Sequence, residues 1–295
     1  MTYRSVSVLT LVRGRQVHLD HLIAGLCAQA RMPDELVVAF MQDVAPRVPP
    51  DCPFPIRLVQ IDGDALPLAK ARNHAADQAE GEILAFLDVD CIPDRNFVKR
   101  AIEAVDQLPD GVFLPEVRYL PGNPDGWLDH TQRAPDVTKL EWAGKRHPAK
   151  PALSMCATRA IQDFGEIWGL AFILTGKTWD SAGGMDERYV GYGAEETDFG
   201  RRLERAGAEL YWLGGTVCYH QHHTINKPPL QHFESIVRNA TLFHDCWHEW
   251  CMDYWLDDFA RRGLIERDAD KLTVIRHPTA LEIAKTTQGP EVRFS

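Results

Sequence analysis

The sequence lacks the features of proteins that are stabilised by disulfides or by structural zinc, and of proteins that span a membrane. Its seven cysteines are odd in number and contain no C-x-x-C pair, so neither a paired disulfide framework nor a zinc finger is indicated. No uncharged run approaches the roughly 20 apolar residues of a membrane-spanning helix. The apolar run near the N-terminus is too short for a signal peptide. These absences predict a cytoplasmic protein without a transmembrane segment.

Positive charge is scarce as well. The chain has 32 lysines and arginines against 42 aspartates and glutamates, which gives a formal net charge of −10. Proteins held to nucleic acid by phosphate contacts need an excess of positive charge, so nucleic acid is excluded as a general partner. An acidic protein that handles an anionic substrate needs a bound cation or a local group of arginines.

The first half of the chain alternates strand-like and helix-like hydrophobic patterns. The patterns predict helices over residues 17–31 and 68–80, a proline-rich loop over 44–55, and strands over 6–12, 35–40, 56–61 and 83–87. Such alternation is typical of an α/β fold of Rossmann type, whose mainly parallel central sheet is flanked by helices. Ligands of these sheets bind beyond the carboxyl ends of the strands.

The second half is less regular. Residues 121–165 contain several prolines and tryptophans and are predicted to be irregular. Beyond them the patterns predict a strand over 170–174, a helix from about 195 to 207 and a strand over 210–219. The apolar spacing of residues 231–262 predicts one long C-terminal helix, and the remaining residues have the character of a loosely attached tail.

Two carboxylates close the fourth predicted strand. Its apolar run ends in Asp88-Val89-Asp90, and because alternate residues of a strand share one side, Asp88 and Asp90 are expected to face the same way. At about 5 Å and an effective dielectric constant of about 20, their repulsion is roughly 3 kcal/mol, which a divalent cation relieves. The alternative is a solvated turn in which one aspartate caps the following helix.

A second acidic group begins the helix predicted from residue 195. The helix dipole favours carboxylates at this end, which is a purely structural explanation for Glu195 and Glu196. Neither glutamate, however, has a basic residue three or four positions later, whereas Asp198 has two arginines there. Glycines at 191 and 193 let the backbone approach a ligand. One of the two glutamates is therefore a candidate general base.

Three histidines, His220, His222 and His223, follow the strand predicted over 210–219. They have no cysteine or acid at finger-like spacing, which argues against a structural zinc site. One imidazole at the strand end can instead complete an ion site with Asp90, and mixed nitrogen and oxygen ligands suit Mn²⁺ better than Ca²⁺. His222 and His223 are expected to be solvated loop residues or hydrogen-bond partners.

Arginines are predicted at the same sheet edge. Arg13 and Arg15 follow the first strand, and together with a cation they would give a diphosphate several positive partners. The alternative for both is an ordinary surface loop. Arg72, on the helix before the fourth strand, can reach the same cleft, although an arginine on a helix is usually solvated.

In chain order, these segments resemble the metal-dependent family 2 glycosyltransferases of the type A nucleotide-sugar fold, particularly the β-1,4-galactosyltransferase and chondroitin polymerase type. The resemblance covers about residues 5–235. It rests on R-G-R-Q at 13–16, A-R-N at 71–73, D-V-D-C-I-P at 88–93, G-Y-G-A-E-E at 191–196 and the histidine segment from 220. The fourth segment is similar to the family's W-G-W-G-G-E-D, with Tyr192 in place of a tryptophan and Glu196 in place of an aspartate.

The resemblance implies a role for each segment. Asp90 and His220 would bind Mn²⁺ or Mg²⁺. Glu196 would remove the acceptor proton, while Glu195 would position the acceptor or share the base role. The residues expected at the donor nucleotide and its phosphates are Leu11, Arg13, Arg15, Arg72, Asp88 and Val89. Those expected at the acceptor sugar are Tyr192, Gly193 and Asp198.

The same resemblance implies a domain organisation. A catalytic nucleotide-sugar transferase domain is expected over residues 1–230, with its nucleotide-binding half at 1–120 and its acceptor and metal half at 121–230. Residues 231–295 would form a helical C-terminal extension and tail. This extension can cover the catalytic domain, form a dimer or touch a lipid-linked acceptor, and packing is the preferred interpretation.

The predicted activity is transfer of a sugar, with inversion, from a nucleoside diphosphate sugar of the uridine type to a hydroxyl acceptor. The acceptor would be a glycan, a glycolipid or a small molecule, and peripheral membrane contact is compatible with the sequence. A retaining transferase of the same fold and a non-catalytic nucleotide-sugar binder remain alternatives. A nucleotidyltransferase is disfavoured, because no glycine-rich, lysine-bearing phosphate loop follows the first strand.

Overall fold

The computed structural model describes residues 4–63, 65–155 and 157–293. Its strands are β1 (Val6–Val12), β2 (Glu35–Phe40), β3 (Ile56–Gln60), β4 (Ile83–Leu87), β5 (Cys91–Pro93), β6 (Gly111–Tyr119), β7 (Lys145–Arg146), β8 (Thr158–Ile161), β9 (Ala171–Thr175), β10 (Glu209–His220), β11 (Ile265–Arg267) and β12 (Leu272–Val274). Its α-helices are α1 (Gln16–Cys27), α2 (Leu68–Asp77), α3 (Phe97–Gln107), α4 (Val137–Ala143), α5 (Gly176–Ala182), α6 (Glu195–Arg205), α7 (Phe233–Trp247), α8 (Asp253–Arg261) and α9 (Ala280–Thr286).

The main sheet has the strand order β3-β2-β1-β4-β9-β6-β10-β5. The first four strands are parallel, β9 is antiparallel to both β4 and β6, and β10 returns parallel to β6. This arrangement confirms the predicted α/β fold, with a sheet that is mixed beyond its parallel half. Every residue of β2 and of β4 is buried, as expected for parallel strands that have helices on both faces.

Two apolar clusters cover the two faces of the sheet. Alternate residues of β4 divide between them: Ala85 packs in the cluster that includes α1 and α3, whereas Phe86 packs in the cluster that includes α2, α5 and α6. The helices predicted over 17–31 and 68–80 end earlier than expected, at Cys27 and Asp77.

Residues 121–165 are more regular than the sequence predicts. They contain the short helix α4 and the short strands β7 and β8. The start of α4 is capped by the Asp136 side chain, which accepts a hydrogen bond from the Lys139 backbone N–H. Elements of two to seven residues are too short to produce a hydrophobic period, which explains why the pattern did not reveal them.

Strand β10 is the longest element of the sheet and reaches the predicted histidines. It pairs with β6 over most of its length, with a register shift between Leu213 and Val217. At its end His220 lies opposite Cys91 of β5 and Tyr119 of β6. The pairing with β5 places residue 220 next to the segment that carries Asp90.

The predicted single C-terminal helix is two helices, α7 and α8. The chain between them passes through His248 and Met252, both with positive φ angles near 60° (59° and 58°). This break lets Leu256 and Phe259 of α8 pack against Phe233 of α7 in one cluster. Apolar spacing alone cannot distinguish one long helix from two that fold back on each other.

The prediction of a loosely attached tail is wrong. Strands β11 and β12 form a hairpin, and α9 begins with a capping box between Thr279 and Glu282. The Asn226 side chain donates hydrogen bonds to Ile283 O at 3.1 Å and to Thr286 Oγ1 at 2.9 Å. Across residues 4–63, 65–155 and 157–293, no helix has the length and apolar character needed to cross a membrane.

Candidate active site

The loop after β1 carries one of the predicted arginines into the sheet edge. Gly14 and Arg15 both have left-handed backbone conformations, with φ of 66° and 53°, so the chain turns sharply before α1. The Arg15 guanidinium donates a hydrogen bond to Asp90 Oδ2. Arg13 is exposed on the same loop, while the side chain of Leu11 remains partly buried in β1.

The Asp88-Val89-Asp90 segment follows β4 as a turn rather than as a continued strand. Asp88 Oδ1 accepts a weak hydrogen bond from Asp90 N at 3.4 Å, and burial raises the pKa of the Asp88 carboxyl. Val89 is 3% exposed and packs in the core, so its backbone is the part available to a ligand. Asp90 is 1% exposed, and its Oδ1 has no hydrogen-bond partner among the described residues.

A three-residue group that suits a metal ion surrounds Asp90. One ligand atom from each of Asp90, His220 and His223 lies within 4.8 Å of the others. Burial lowers the pKa of His220 to about 3 and that of His223 to about 4, so both imidazoles are neutral and can act as ligands. A buried carboxylate oxygen without a partner and two neutral imidazoles fit a cation such as Mn²⁺.

The structure differs from the sequence prediction for His223. Its Nε2 lies 3.6 Å from Asp90 Oδ2, and its side chain is only 28% exposed, which does not describe a solvated loop residue. His222 fits the expectation better, since its backbone carbonyl accepts a hydrogen bond from His18 Nε2 at 3.3 Å and its imidazole lies outside the group. The chain turns after β10 and returns His223 to the site, which sequence spacing does not reveal.

Replacing His220 or His223 by alanine should weaken Mn²⁺ binding by at least about 10- to 100-fold. That is the loss expected when a hydrogen-bond partner of a metal ligand is removed, and these substitutions remove a ligand itself. His222→Ala is the matched control and should change the affinity by less than about twofold, since its imidazole does not face Asp90. Titration calorimetry of the three variants with Mn²⁺ and UDP measures this difference. A loss with His222→Ala equal to that with His223→Ala would contradict the assignment.

The acidic helix start lies on a strained turn. Gly191, Gly193 and Ala194 have φ angles of 84°, 92° and 73°, and α6 begins directly after them at Glu195. A side chain at Gly193 would overlap Met252 of the C-terminal extension. The turn thus requires glycine at this position and brings Glu195 and Glu196 to the cleft.

Arg72 is the partner that the two glutamates lack in the local sequence. Its NH1 lies 3.4 Å from Glu195 Oε1, and its NH2 lies 3.0 Å from Glu196 Oε1. The Arg72 side chain is 7% exposed, so this arginine on a helix is buried and not solvated. The structure brings Arg72 to the candidate base, where the sequence predicted a contact with the nucleotide.

The two glutamates differ in their surroundings. The Glu196 side chain is 32% exposed, whereas that of Glu195 is 5% exposed. Burial and the neighbouring Glu195 raise the pKa of Glu196 to about 7, against the opposing effect of Arg72. A carboxylate with this pKa is suited to accept a proton near neutral pH. Glu196 is therefore the more accessible of the pair, and its own pKa suits the role of a base.

Sequence reasoning missed Gly169, which lies against the candidate base. Its backbone N–H donates a hydrogen bond to the Glu196 side chain. A Cβ atom at this position would overlap both Glu196 Oε1 and Arg72 NH2. The only signal in the sequence was a glycine directly before a predicted strand.

The predicted acceptor residues do not all lie together. The ring of Tyr192 stacks on His232 at 4.6 Å and lies 5.3 Å from Trp255 of α8. Asp198, by contrast, is 1% exposed and already accepts hydrogen bonds from Tyr189, Arg202 and Trp247. It lines a separate cavity of about 500 Å³ with Arg205 and Trp247. The structure therefore leaves Asp198 no free oxygen for an acceptor.

Two family models match the chain over this site. The model of glycosyl transferase family 2 matches residues 55–163, and that of the N-terminal domain of galactosyltransferase matches residues 152–224. Together they span Arg72, the aspartates, the glutamates and the histidines. Residues 55–163 are thus similar to glycosyl transferase family 2, and residues 152–224 to a galactosyltransferase domain. None of the curated proteins matches the chain significantly.

Solved structures show that the chain has the type A nucleotide-sugar transferase fold. GalNAc-T7 with UDP, GalNAc and Mn²⁺ superimposes with a TM-score of 0.55 at 14% identity, covering 75% of this chain and 43% of that chain. TarS 1–349 of S. aureus superimposes with a TM-score of 0.54 at 16% identity, covering 81% of this chain and 65% of that chain. Its complex with UDP-GlcNAc superimposes with a TM-score of 0.52 at 14% identity, covering 81% of this chain and 66% of that chain. The chain thus spans less than two thirds of each of these structures.

Proposed function

We propose that this protein moves a sugar from a UDP-sugar to a hydroxyl acceptor, with inversion at the anomeric carbon. The observation that carries the proposal is the pairing of a candidate metal group with a candidate base in one cleft. Asp88 is near both groups, since its carboxylate interacts electrostatically with Arg15 and with Arg72. A donor diphosphate and an acceptor hydroxyl would meet at this point.

The donor side is built from Asp90, His220 and His223, which would hold Mn²⁺ or Mg²⁺. A bound divalent cation would neutralise the negative charge that develops on the departing diphosphate. Arg15 already pairs with Asp90, so its guanidinium is placed to exchange that contact for a phosphate oxygen, with Arg13 on the same loop. The similar structures that hold UDP with Mn²⁺ and UDP-GlcNAc support a uridine donor.

The acceptor side is built around Glu196. Glu196 removes the proton of the attacking hydroxyl, while Arg72, which is also paired with Glu195, holds its carboxylate in place. A base on the side opposite the leaving diphosphate permits a single in-line displacement, which inverts the anomeric carbon. An NMR spectrum of the product that showed a retained anomer would contradict this step.

Aromatic side chains flank the open side of the base. The ring of Tyr254 on α8 lies 4.9 Å from that of Trp255, and Tyr254 is 66% exposed. The Tyr254 phenol is close enough to Glu196 to interact electrostatically with its carboxylate. Aromatic faces suit the C–H faces of pyranose rings. We therefore favour a sugar-bearing acceptor, a glycan or glycolipid, over a small alcohol.

The rate of transfer should rise about tenfold per pH unit below pH 7 and level off above it, because Glu196 acts only when ionised and its pKa is raised to about 7. The measurement is kcat/KM between pH 5 and 9, with UDP and Mn²⁺ affinity determined at each pH to separate catalysis from binding. A profile that stays flat down to pH 5 would show that a different group limits the rate.

A panel of nucleotide sugars, tested with and without Mn²⁺, examines the proposed function directly. We expect metal-dependent turnover of at least one UDP-sugar, by hydrolysis or by transfer to added saccharides. Metal-dependent binding without turnover would favour the non-catalytic binder. The absence of both binding and turnover would overturn the proposal.

A further inference from the structure

A buried amide of the C-terminal extension contacts the turn before the candidate base. Asn239 lies on α7 and is 0% exposed. Its Nδ2 donates to the backbone carbonyls of Val190 at 3.2 Å, Tyr192 at 3.4 Å and Gly193 at 2.9 Å. One amide group thus binds three carbonyls of a single turn.

The turn needs such support, because its backbone is strained. Ala194 has a φ angle of 73°, a left-handed conformation that costs a non-glycine residue about 1–2 kcal/mol. Ala194 is also the N-cap of α6, and its side chain cannot cap the helix. Ser235, also on α7, accepts a hydrogen bond from Tyr192 N at 3.2 Å. The start of α6 is therefore held by α7 instead of by its own cap.

We propose that Asn239 is a positioning residue for catalysis: by holding the carbonyls of Val190, Tyr192 and Gly193, it sets the direction in which Glu196 enters the cleft. This inference rests on the proposed function, since it assigns Glu196 the role of base. It also gives the C-terminal extension a catalytic purpose, because the part of the chain that sets the base lies outside the segments matched by the family models.

The inference can be tested with Asn239→Leu and Asn239→Asp. Both variants remove the donor group, and the second keeps the shape of the side chain. We expect kcat to fall by about 100-fold, the cost of a displacement of roughly 1 Å at a reacting group. The affinity for UDP and Mn²⁺ should stay within about twofold, because the metal group is not attached to this turn. The acid limb of the pH profile should move below pH 7, since a displaced Glu196 is less buried.

Gln29→Leu serves as the matched control. The buried Gln29 amide donates to Gly25 O at 3.0 Å and Asp94 O at 2.6 Å, so its loss also removes a clamp on backbone carbonyls. It should lower the melting temperature to a similar extent while leaving kcat and the pH profile unchanged. An equal fall in kcat with Gln29→Leu would reduce Asn239 to a general structural role and overturn the inference.

Amide hydrogen exchange makes the test independent of turnover. In the Asn239 variants, peptides over residues 190–196 should exchange at least about tenfold faster, while peptides over β1 and β4 keep their protection. Unchanged protection over residues 190–196 would show that Asn239 does not hold this turn. An active wild-type enzyme with unchanged kcat in the variants would refute its catalytic role. A wild-type protein without turnover would refute the proposed function. Hydrogen exchange would still show whether Asn239 holds the turn over residues 190–194.

Discussion

Glu196→Gln should lower kcat by about 1,000-fold while leaving the affinity for UDP and Mn²⁺ within about twofold, because general base catalysis contributes about 100- to 10,000-fold. Glutamine keeps the size of the side chain. It can also accept the hydrogen bonds of Gly169 N and of Arg72 NH2, which lies 3.0 Å from Glu196 Oε1. Glutamine cannot, however, remove the proton of the acceptor hydroxyl. Steady-state kinetics with the donor identified by the panel, together with calorimetry of UDP binding, provide the measurement.

Two variants on the same helix control this experiment. Glu204→Gln changes an exposed carboxylate of α6, whose partner is Arg201 at 3.2 Å, and should leave kcat unchanged. Glu195→Gln should lower kcat less than Glu196→Gln does, since Glu195 is 5% exposed and has less access to an acceptor. A larger loss with Glu195→Gln would exchange the roles of the two glutamates.

Asp90→Asn should weaken Mn²⁺ binding by more than about 100-fold and abolish transfer at micromolar Mn²⁺. Losing a residue that only hydrogen-bonds to a metal ligand lowers metal affinity by about 10- to 100-fold, and losing the ligand itself should lower it further. The substitution removes the charged partner that Arg15, His18 and His223 all face. Calorimetry with Mn²⁺ in the presence of UDP measures the affinity, and activity at millimolar Mn²⁺ tests whether excess metal restores transfer.

Asp94→Asn is the matched control for this substitution. Asp94 follows β5, accepts a hydrogen bond from Thr216 Oγ1 at 2.7 Å and is not part of the metal group. Its replacement changes a partly buried carboxylate of the same segment and should leave Mn²⁺ binding intact. Retention of wild-type Mn²⁺ affinity by Asp90→Asn would remove the basis for a metal site at this edge.

Much of the first half of the chain follows from local pattern. The predicted bounds of β1, β2 and β4 agree with the structure, because buried parallel strands read as short, continuous apolar runs. The expectation that Arg15 and Asp90 lie at one sheet edge followed from the rule that ligand sites lie beyond the carboxyl ends of the strands. The structure brings the two side chains into contact.

Contacts between distant segments could not be predicted in the same way. Arg72 and Glu195 are 123 residues apart, and each residue considered alone had an ordinary explanation as a helix residue. Asn239 lies on a helix whose apolar pattern reports packing only. The docking of α9 depends on Asn226, and neither this contact nor the capping box at Thr279 and Glu282 was recognised in the sequence.

The sequence by itself determined the α/β fold, the place of Asp88 and Asp90 at a strand end and the place of Glu195 and Glu196 at a helix start. Each of these depends on short-range periodicity and on the chemistry of a few adjacent residues. Only the tertiary structure decided that Arg72 supports the glutamates and that His223 joins Asp90 and His220. It also decided that Asp198 is buried among its own hydrogen-bond donors. Charges and hydrogen bonds act through space, and the distances between these side chains exist only once the chain has folded.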